Sequence, residues 1–356
     1  MELIFLDSGF NNISAPIDNY SSLQWIRRYN RCGQFSLVLS PSNYNEAMSA
    51  RYIYNSAANE TAIITGKHYE YGGKESLRLT GYMLEHMLSW RTPEQAEVVQ
   101  GSLEPEIRRV VQKYAIAGSR AISKLELGSQ IGAADEISDQ ISGKTLGDWL
   151  YSALSPAGLS YRIDYDYEGD RLIFSLWQGK DRTQGQSVNS PAVFSSEFEN
   201  IMDIAYSQDD SNYKNFAYVT CAAADGSVLT VSVDNAATGE DRREMALAPS
   251  GIALKDEEGN PFSQQQLSAV LRQKGLEALE KSKRLVKAEG TVGDNSSLIY
   301  RKGYDLGDLC DFALPQRGIF FSARLTQITE VYEGGILKVI PMFGDDYLSL
   351  KELLNL

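Results

Sequence analysis

Gln34-Phe35-Ser36-Leu37-Val38-Leu39 puts Phe35, Leu37 and Leu39 on one side of an extended chain and Gln34, Ser36 and Val38 on the other. Period-two alternation of this kind marks a half-buried strand. Downstream, Thr61-Ala62-Ile63-Ile64-Thr65 and Ser76-Leu77-Arg78-Leu79-Thr80 also read as strands, and Gly72-Gly73 between them is a turn signal. Past Gly81 the spacing changes, because Met83, Met87 and Leu88 suit a helical face. Strands that close into a barrel and hand over to a helix explain this order, so residues 1–90 are expected to form a first β-barrel domain.

Residues 91–190 read as a smaller α+β domain. Ile107, Val110, Val111 and Tyr114 stand at i, i+3, i+4 and i+7, an amphipathic helix introduced by Pro105. The Gly-, Ser- and Asp-rich stretch from Gly128 to Gly143 is expected to be loop. A second helix carries Leu146, Trp149, Leu150, Ala153 and Leu154 and ends near Pro156 and Gly158. A hairpin follows: Tyr161, Ile163, Tyr165 and Tyr167 alternate, Glu168-Gly169-Asp170 turns, and Leu172, Phe174 and Leu176 alternate back. The polar run Gln178–Asn189 reads as a connector.

Strands resume after residue 190. Residues 215–220 and 228–233 flank Asp225-Gly226, a hairpin signal. Residues 246–290 form a helical insertion: Ser263 with Gln266 is a capping-box start, Leu267, Val270, Leu271, Ala278 and Leu279 continue the helix, and Gly290 is the expected stop. Tyr300–Phe312, Gly318–Val331 and Ile336–Pro341 are read as strands, the last two joined at Glu333-Gly334-Gly335. Residues 191–245 plus 291–344 thus form a second, split β-barrel domain. Residues 345–356 are a C-terminal tail in which Asp345 or Asp346 caps a short helix. The expected class is α+β and β-rich, two barrel domains interleaved with smaller α+β and helical domains.

The composition excludes several functions. With 43% hydrophobic and 23% charged residues in 356, the chain matches a soluble globular protein with sizeable cores. Apolar runs such as Gly318-Ile319-Phe320-Phe321 are too short to span a bilayer, so no membrane partner is expected. The N-terminus Met1-Glu2-Leu3-Ile4-Phe5-Leu6-Asp7 lacks a signal-peptide pattern, which implies synthesis in a cytoplasm. Cys32, Cys221 and Cys310 are odd in number and widely spaced, which argues for reduced thiols rather than disulfides or zinc. A net charge of −13 disfavours a duplex nucleic-acid binder. The one basic cluster, Arg27-Arg28-Tyr29-Asn30-Arg31, reads as a solvated surface or an assembly contact. Twenty tyrosines tilt the reading toward strands and interfaces.

No catalytic, cofactor-binding or metal-binding residue is assigned, and no cofactor. His68 and His86 lack a neighbouring nucleophile in a recognisable setting, and the chain has no GxSxG, HExxH, P-loop or GxGxxG. Asp164 and Asp166 fall on one strand face with Asp170 at the turn, conceivable as a metal or glycosidase pair but read as a solvent-facing strand edge. Asp256-Glu257-Glu258-Gly259-Asn260 fails the spacing of a calcium loop. Asp209-Asp210 reads as a turn before a strand.

Two stretches are informative by their wording. Leu23-Gln24-Trp25-Ile26-Arg27-Arg28-Tyr29 leading through Cys32-Gly33 to Leu39, with Leu79-Thr80-Gly81-Tyr82 and Leu88-Ser89-Trp90-Arg91, resembles the siphovirus Gp37-like tail proteins. Gly303-Tyr304-Asp305-Leu306-Gly307-Asp308, Ala323–Glu330 and Pro341-Met342-Phe343-Gly344 resemble the closing strands of the same family, and Glu197–Ile201 with Tyr213-Lys214-Asn215 fits its middle. The resemblance implies a baseplate or tail-tip hub: two tube-type β-barrels per subunit, three subunits in a ring, and no enzyme activity. It implies a homotrimer that joins a sixfold tail tube or distal tail protein to a threefold spike or tip, with the tape-measure protein as a further partner. Nucleic acid would at most pass through an acidic lumen. The protein would be made in a bacterial cytoplasm and assembled into a virion tail or an extracellular tail-like particle, phage, prophage or bacteriocin. The alternatives are a receptor- or carbohydrate-binding tail-tip module and a tail-associated cell-wall hydrolase. Residues 345–356, all that follow Gly344, are read as too few for a lytic domain.

Overall fold

The computed structural model describes residues 2–73, 75–223, 226–234, 236–255, 259–293 and 296–344. In chain order it begins with β1 (Leu3–Leu6), β2 (Tyr20–Arg28), β3 (Gln34–Leu39), α1 (Tyr44–Ser49), β4 (Tyr52–Asn55), β5 (Glu60–Glu70) and β6 (Ser76–Met83). β7 (Glu97–Ser102), α2 (Leu103–Val111), β8 (Leu125–Leu127), β9 (Glu136–Ile141), α3 (Leu146–Leu154), β10 (Ser160–Asp166) and β11 (Arg171–Trp177) follow. Next come β12 (Val193–Ser195), β13 (Ile201–Asp209), β14 (Phe216–Ala222), β15 (Val228–Asp234), β16 (Glu244–Leu247) and α4 (Gln264–Lys281). The last strands are β17 (Leu285–Val292), β18 (Leu309–Leu314), β19 (Ile319–Glu333) and β20 (Ile336–Gly344). With 44% strand and 22% helix the fold is β-rich and of the α+β class.

The described residues pack as two compact units, those within 2–86, 161–207 and 286–344 in one, those within 87–160 and 208–285 in the other. The first is built on a 12-stranded sheet ordered β1-β4-β5-β6-β3-β2-β19-β20-β17-β13, with β18 on β19 and β12 on β18. Two separate cores lie along it. Leu3, Phe5, Leu23, Trp25, Phe35, Leu37, Ile53, Ile64, Leu77 and Leu79 draw one face of β1–β6 onto the first core. Tyr29, Phe194, Ile201, Tyr304, Phe312, Leu325, Ile328 and Phe343 form the second, under β12, β13 and β17–β20. The antiparallel pair of β2 with β19, in register from Arg28↔Gln327 to Ser22↔Glu333, makes the two lobes one sheet. No described pair joins the ends of the strand order.

In the second unit β7 pairs antiparallel with β9, and β14 pairs antiparallel with β15 and parallel with β16. α4 lies on the second of these sheets, with Leu271 buried against Ala217 and Val219. Its start is the expected capping box: Ser263 Oγ accepts from Gln266 N at 3.2 Å and Gln266 Oε1 accepts from Ser263 N at 3.0 Å.

Several expectations need correction. The sequence reading groups the hairpin β14–β15 with residues 291–344, yet it pairs with β16, while the strands after 285 join those of the first ninety residues. Alternation shows which face is buried and says nothing of which strand lies alongside. α4 stops at Lys281, and Gly290 stands inside β17, where a Cβ would come 2.7 Å from Met202 O. The stretch 128–143 contains β9, whose Asp139 is fully buried; its carboxylate accepts from Trp149 Nε1 at 2.8 Å and pairs with Lys274 at 2.5 Å. Residues 300–308 are loop, and the strand begins only at Leu309. The helical segment after Gly81 is a 3-10 helix, Leu84–Trp90. Asp225, Asp256–Glu258 and the expected C-terminal cap and helix lie outside the described residues.

Candidate functional site

On β2 the inward positions run Leu23, Trp25, Arg27, so strand period alone carries a guanidinium into the interior of the first unit. Arg27 is only 6% exposed. A buried cation needs a counter-charge, and Glu60 at the start of β5 supplies it, with Arg27 Nε 2.6 Å from Glu60 Oε1. Glu60 also accepts from Trp25 Nε1 at 2.7 Å and from Arg301 Nη2 at 2.7 Å. Glu330 on β19 pairs with Arg27 Nη2 at 2.8 Å. Burial by itself pushes the Glu60 carboxyl up, but Arg27, Arg301 and the Trp25 N–H together outweigh it and hold it below its ordinary value. The basic run 27–31 is therefore not a surface patch at its first member.

This ion network forms one wall of a cleft of about 520 Å³ within the first unit, whose other walls include Glu85, Asp164, Trp177 and Tyr300. Asp164 and Asp166, expected on a solvent-facing edge, line it. Asp164 pairs with Arg162 at 2.8 Å, and Asp166 with Arg171 at 3.0 Å while accepting from Gly169 N. Asp170 accepts from the Tyr165 hydroxyl at 2.9 Å. Burial raises the Asp164 carboxyl against the pull of Arg162. Burial, joined by the nearby charges of Asp164 and Glu60, pushes Glu85 up to about 8.

The loop before β18 has its own logic. Asp308, 2% exposed, accepts from Lys180 N and Arg182 Nε at 2.7 Å each and from Asp305 N at 2.9 Å. Gly307 beside it has φ of 81°, and a Cβ there would stand 2.4 Å from the Tyr29 ring. The Leu306-Gly307-Asp308 wording noted in the sequence is thus a packing and hydrogen-bonding requirement.

The Siphovirus ReqiPepy6 Gp37-like protein family matches residues 4–345, a range that takes in sequence from both units. The chain belongs to this family. Three solved structures share the fold of this family member. The tail protein from Neisseria meningitidis MC58 is 14% identical, with a TM-score of 0.57 over 97% of this chain and 96% of that one. The 43 kDa tail protein of prophage MuSo2 from Shewanella oneidensis is 12% identical, with a TM-score of 0.56 over 96% and 98%. Prophage tail protein gp18 from Listeria monocytogenes EGD-e is 10% identical, with a TM-score of 0.58 over 100% and 98%. No curated protein matches the sequence.

Sheet edges and exposed apolar side chains are the surfaces of the first unit that are open to contact. β13 ends the strand order at one side of the sheet. It exposes Met202, Asp203, Ala205 and Ser207 in succession on both faces, with Met202 48% exposed. At the opposite end, β1 is flanked by its own loop through the bridges Leu3↔Ile17 and Leu6↔Asn12. Phe320 on β19 and Ile336 on β20 are 65% and 60% exposed.

The remaining sequence candidates fall elsewhere. His68 is exposed and lies 3.1 Å from Glu70; His86 stacks on Tyr82 with ring centroids 4.4 Å apart. All three cysteines are free thiols, and burial raises those of Cys32 and Cys310. Among the described residues no His, Cys, Asp and Glu group is arranged to hold a metal, and no helix is long and apolar enough to cross a membrane. Sequence reading missed Glu60, Glu85, Arg301 and Glu330. Only Arg27 carried a signal, since its place on the Leu23–Trp25 face demanded a buried carboxylate.

Proposed function

We propose that the protein is a structural hub of a phage tail or tail-like particle, a trimeric ring that joins a sixfold tail tube or distal tail protein to a threefold spike or tip. The observation that carries this reading is the pair of β-lobes with separate cores on one continuous sheet, in a chain of the Gp37-like family. In this reading the strands of residues 1–90 and those of 191–209 with 286–344 are the two tube-type barrel domains. The second unit, residues 87–160 and 208–285, is the interleaved α+β and helical part.

Two similar lobes in each of three subunits present six near-equivalent surfaces to a tube and three to a tip, which reconciles the two symmetries. An unprotected edge strand is a liability for a monomer and a ready bond for a ring. β13 fits that use through exposed Met202, Asp203 and Ala205. The net charge of −13 suits a lumen that repels passing nucleic acid. The role is structural rather than catalytic, with the tape-measure protein as a further neighbour, synthesis in the bacterial cytoplasm and assembly into the particle. Sedimentation over a range of concentrations tests the ring: a trimer supports it, and a monomer that takes no threefold position in the particle contradicts it.

A further inference from the structure

On the face of the sheet opposite the first core, β2, β3 and β6 turn two rows of side chains outward. Gln24, Ser36 and Thr80 pair across the three strands in one row, and Ile26, Gln34 and Tyr82 in the next. The row between them, Trp25 with Phe35, belongs to the core, as strand alternation requires. β5 shapes the end of the first row. A bulge between Ile64 and Gly66 leaves Thr65 outside the ladder and sets Gly66 opposite Thr80. Bulges re-aim a side chain in this way. Gly66 leaves its place on the face empty, and a Cβ there would collide with the Thr80 hydroxyl. The result is a hollow of about 210 Å³, lined by Gln24, Gln34, Ser36, Thr65 and Thr80 with Ile26 and Tyr82 beside them.

The lining is open to a ligand: Gln24, Thr65 and Tyr82 are exposed, and Gln34, Ser36 and Thr80 are half-buried. Among the described residues, no charged side chain lines the hollow, and no hydrogen bond within the chain engages the five amide and hydroxyl side chains. Each of the five is both donor and acceptor, so the site suits a neutral partner with the same double capacity. A peptide strand is a poor match, because β3 is paired on both sides and offers no free edge for strand addition. A sugar ring carries hydroxyls around its rim and C–H groups on its faces, which answer to the polar lining and to Ile26 and Tyr82. We propose that this hollow binds a neutral saccharide unit. The proposal is independent of the hub role and stands or falls separately from it.

The test uses the full-length protein. Saturation-transfer NMR follows titration with the methyl glycosides of glucose, galactose, rhamnose and N-acetylglucosamine, and a parallel arm measures retention on immobilised bacterial polysaccharides. Saturable binding is expected, with a Kd on the order of 1 mM for one ring in an open hollow. Gln24→Met combined with Gln34→Met keeps the side-chain length and removes both amides; binding is expected to weaken about tenfold or more, with an unchanged thermal melt. Thr80→Val removes one hydroxyl at nearly constant volume and is expected to weaken binding severalfold. Binding on the polymer arm alone identifies a cell-surface glycan, and binding to the free glycosides a small soluble sugar; either one, lost in the double variant, supports the site. No saturable binding on either arm, or binding that survives the double substitution within twofold, overturns it.

Discussion

Glu60 Oε1 accepts from Arg301 Nη2 at 2.7 Å across 241 residues of sequence. The same carboxylate neutralises Arg27 inside the first lobe. One side chain therefore ties a loop of the second lobe to the start of β5, in the wall of the cleft.

Glu60→Ala leaves Arg27 buried and uncompensated at one of its partners, which typically costs about 3–5 kcal/mol. Arg301→Gln removes a partner whose side chain is 32% exposed and is expected to cost much less. Chemical denaturation of both variants and of the double variant measures the difference. Equal losses from the two single variants would contradict the ranking.

The pH response has two opposite contributions. Glu60 has a depressed carboxyl, so its stabilisation is complete above the ordinary value near 4.5 and is lost as pH falls through the lower folded value. Glu85 is raised to about 8, so it takes stability away as pH climbs from about 4.5 to 8 and levels off above. Guanidinium unfolding at pH 5, 7 and 9 is expected to show Glu85→Gln gaining on the parent by up to a few kcal/mol as pH rises. A constant difference across the three pH values would refute this.

Asp308→Ala strips Arg182 and two backbone N–H groups of their acceptor at a site 2% exposed. A loss of about 3–5 kcal/mol is expected, with Asp308→Asn intermediate because its carbonyl still accepts. Thermal melts read both.

Met202→Lys and Ala205→Lys place charges on the β13 edge, a device that blocks strand pairing. Their monomer stability is expected to stay within about 0.5 kcal/mol of the parent, as at other surface positions, while the trimer is lost in sedimentation. A trimer that persists with both lysines present would exclude this edge from the interface.

Local signals were legible wherever the residue pattern answers to local geometry. Phe35, Leu37 and Leu39 alternate and are buried, Ser263 and Gln266 cap α4, and Gly334 and Gly335, at φ of 59° and 84°, turn β19 into β20. What resisted reading was non-local. Nothing in residues 22–28 announces that 327–333 lie beside them. β9 hid because its buried Asp139 and Gln140 look like loop residues until Lys274, Trp149 and the backbone of Ala253 are seen to satisfy them. Asp164 and Asp166 alternate as an exposed face would, since one-dimensional polarity does not separate a cleft wall from open solvent. The Leu306-Gly307-Asp308 turn was visible as wording alone; Tyr29 and Arg182 supply its reason.

Electron cryomicroscopy of the intact particle, with the tail tip reconstructed without imposed symmetry, tests the hub account most directly. The account predicts three copies of this chain in one ring between tube and tip, their six lobes facing the tube and β13 at the junction between subunits. A single copy, or a ring in which no threefold axis relates the copies, would contradict it.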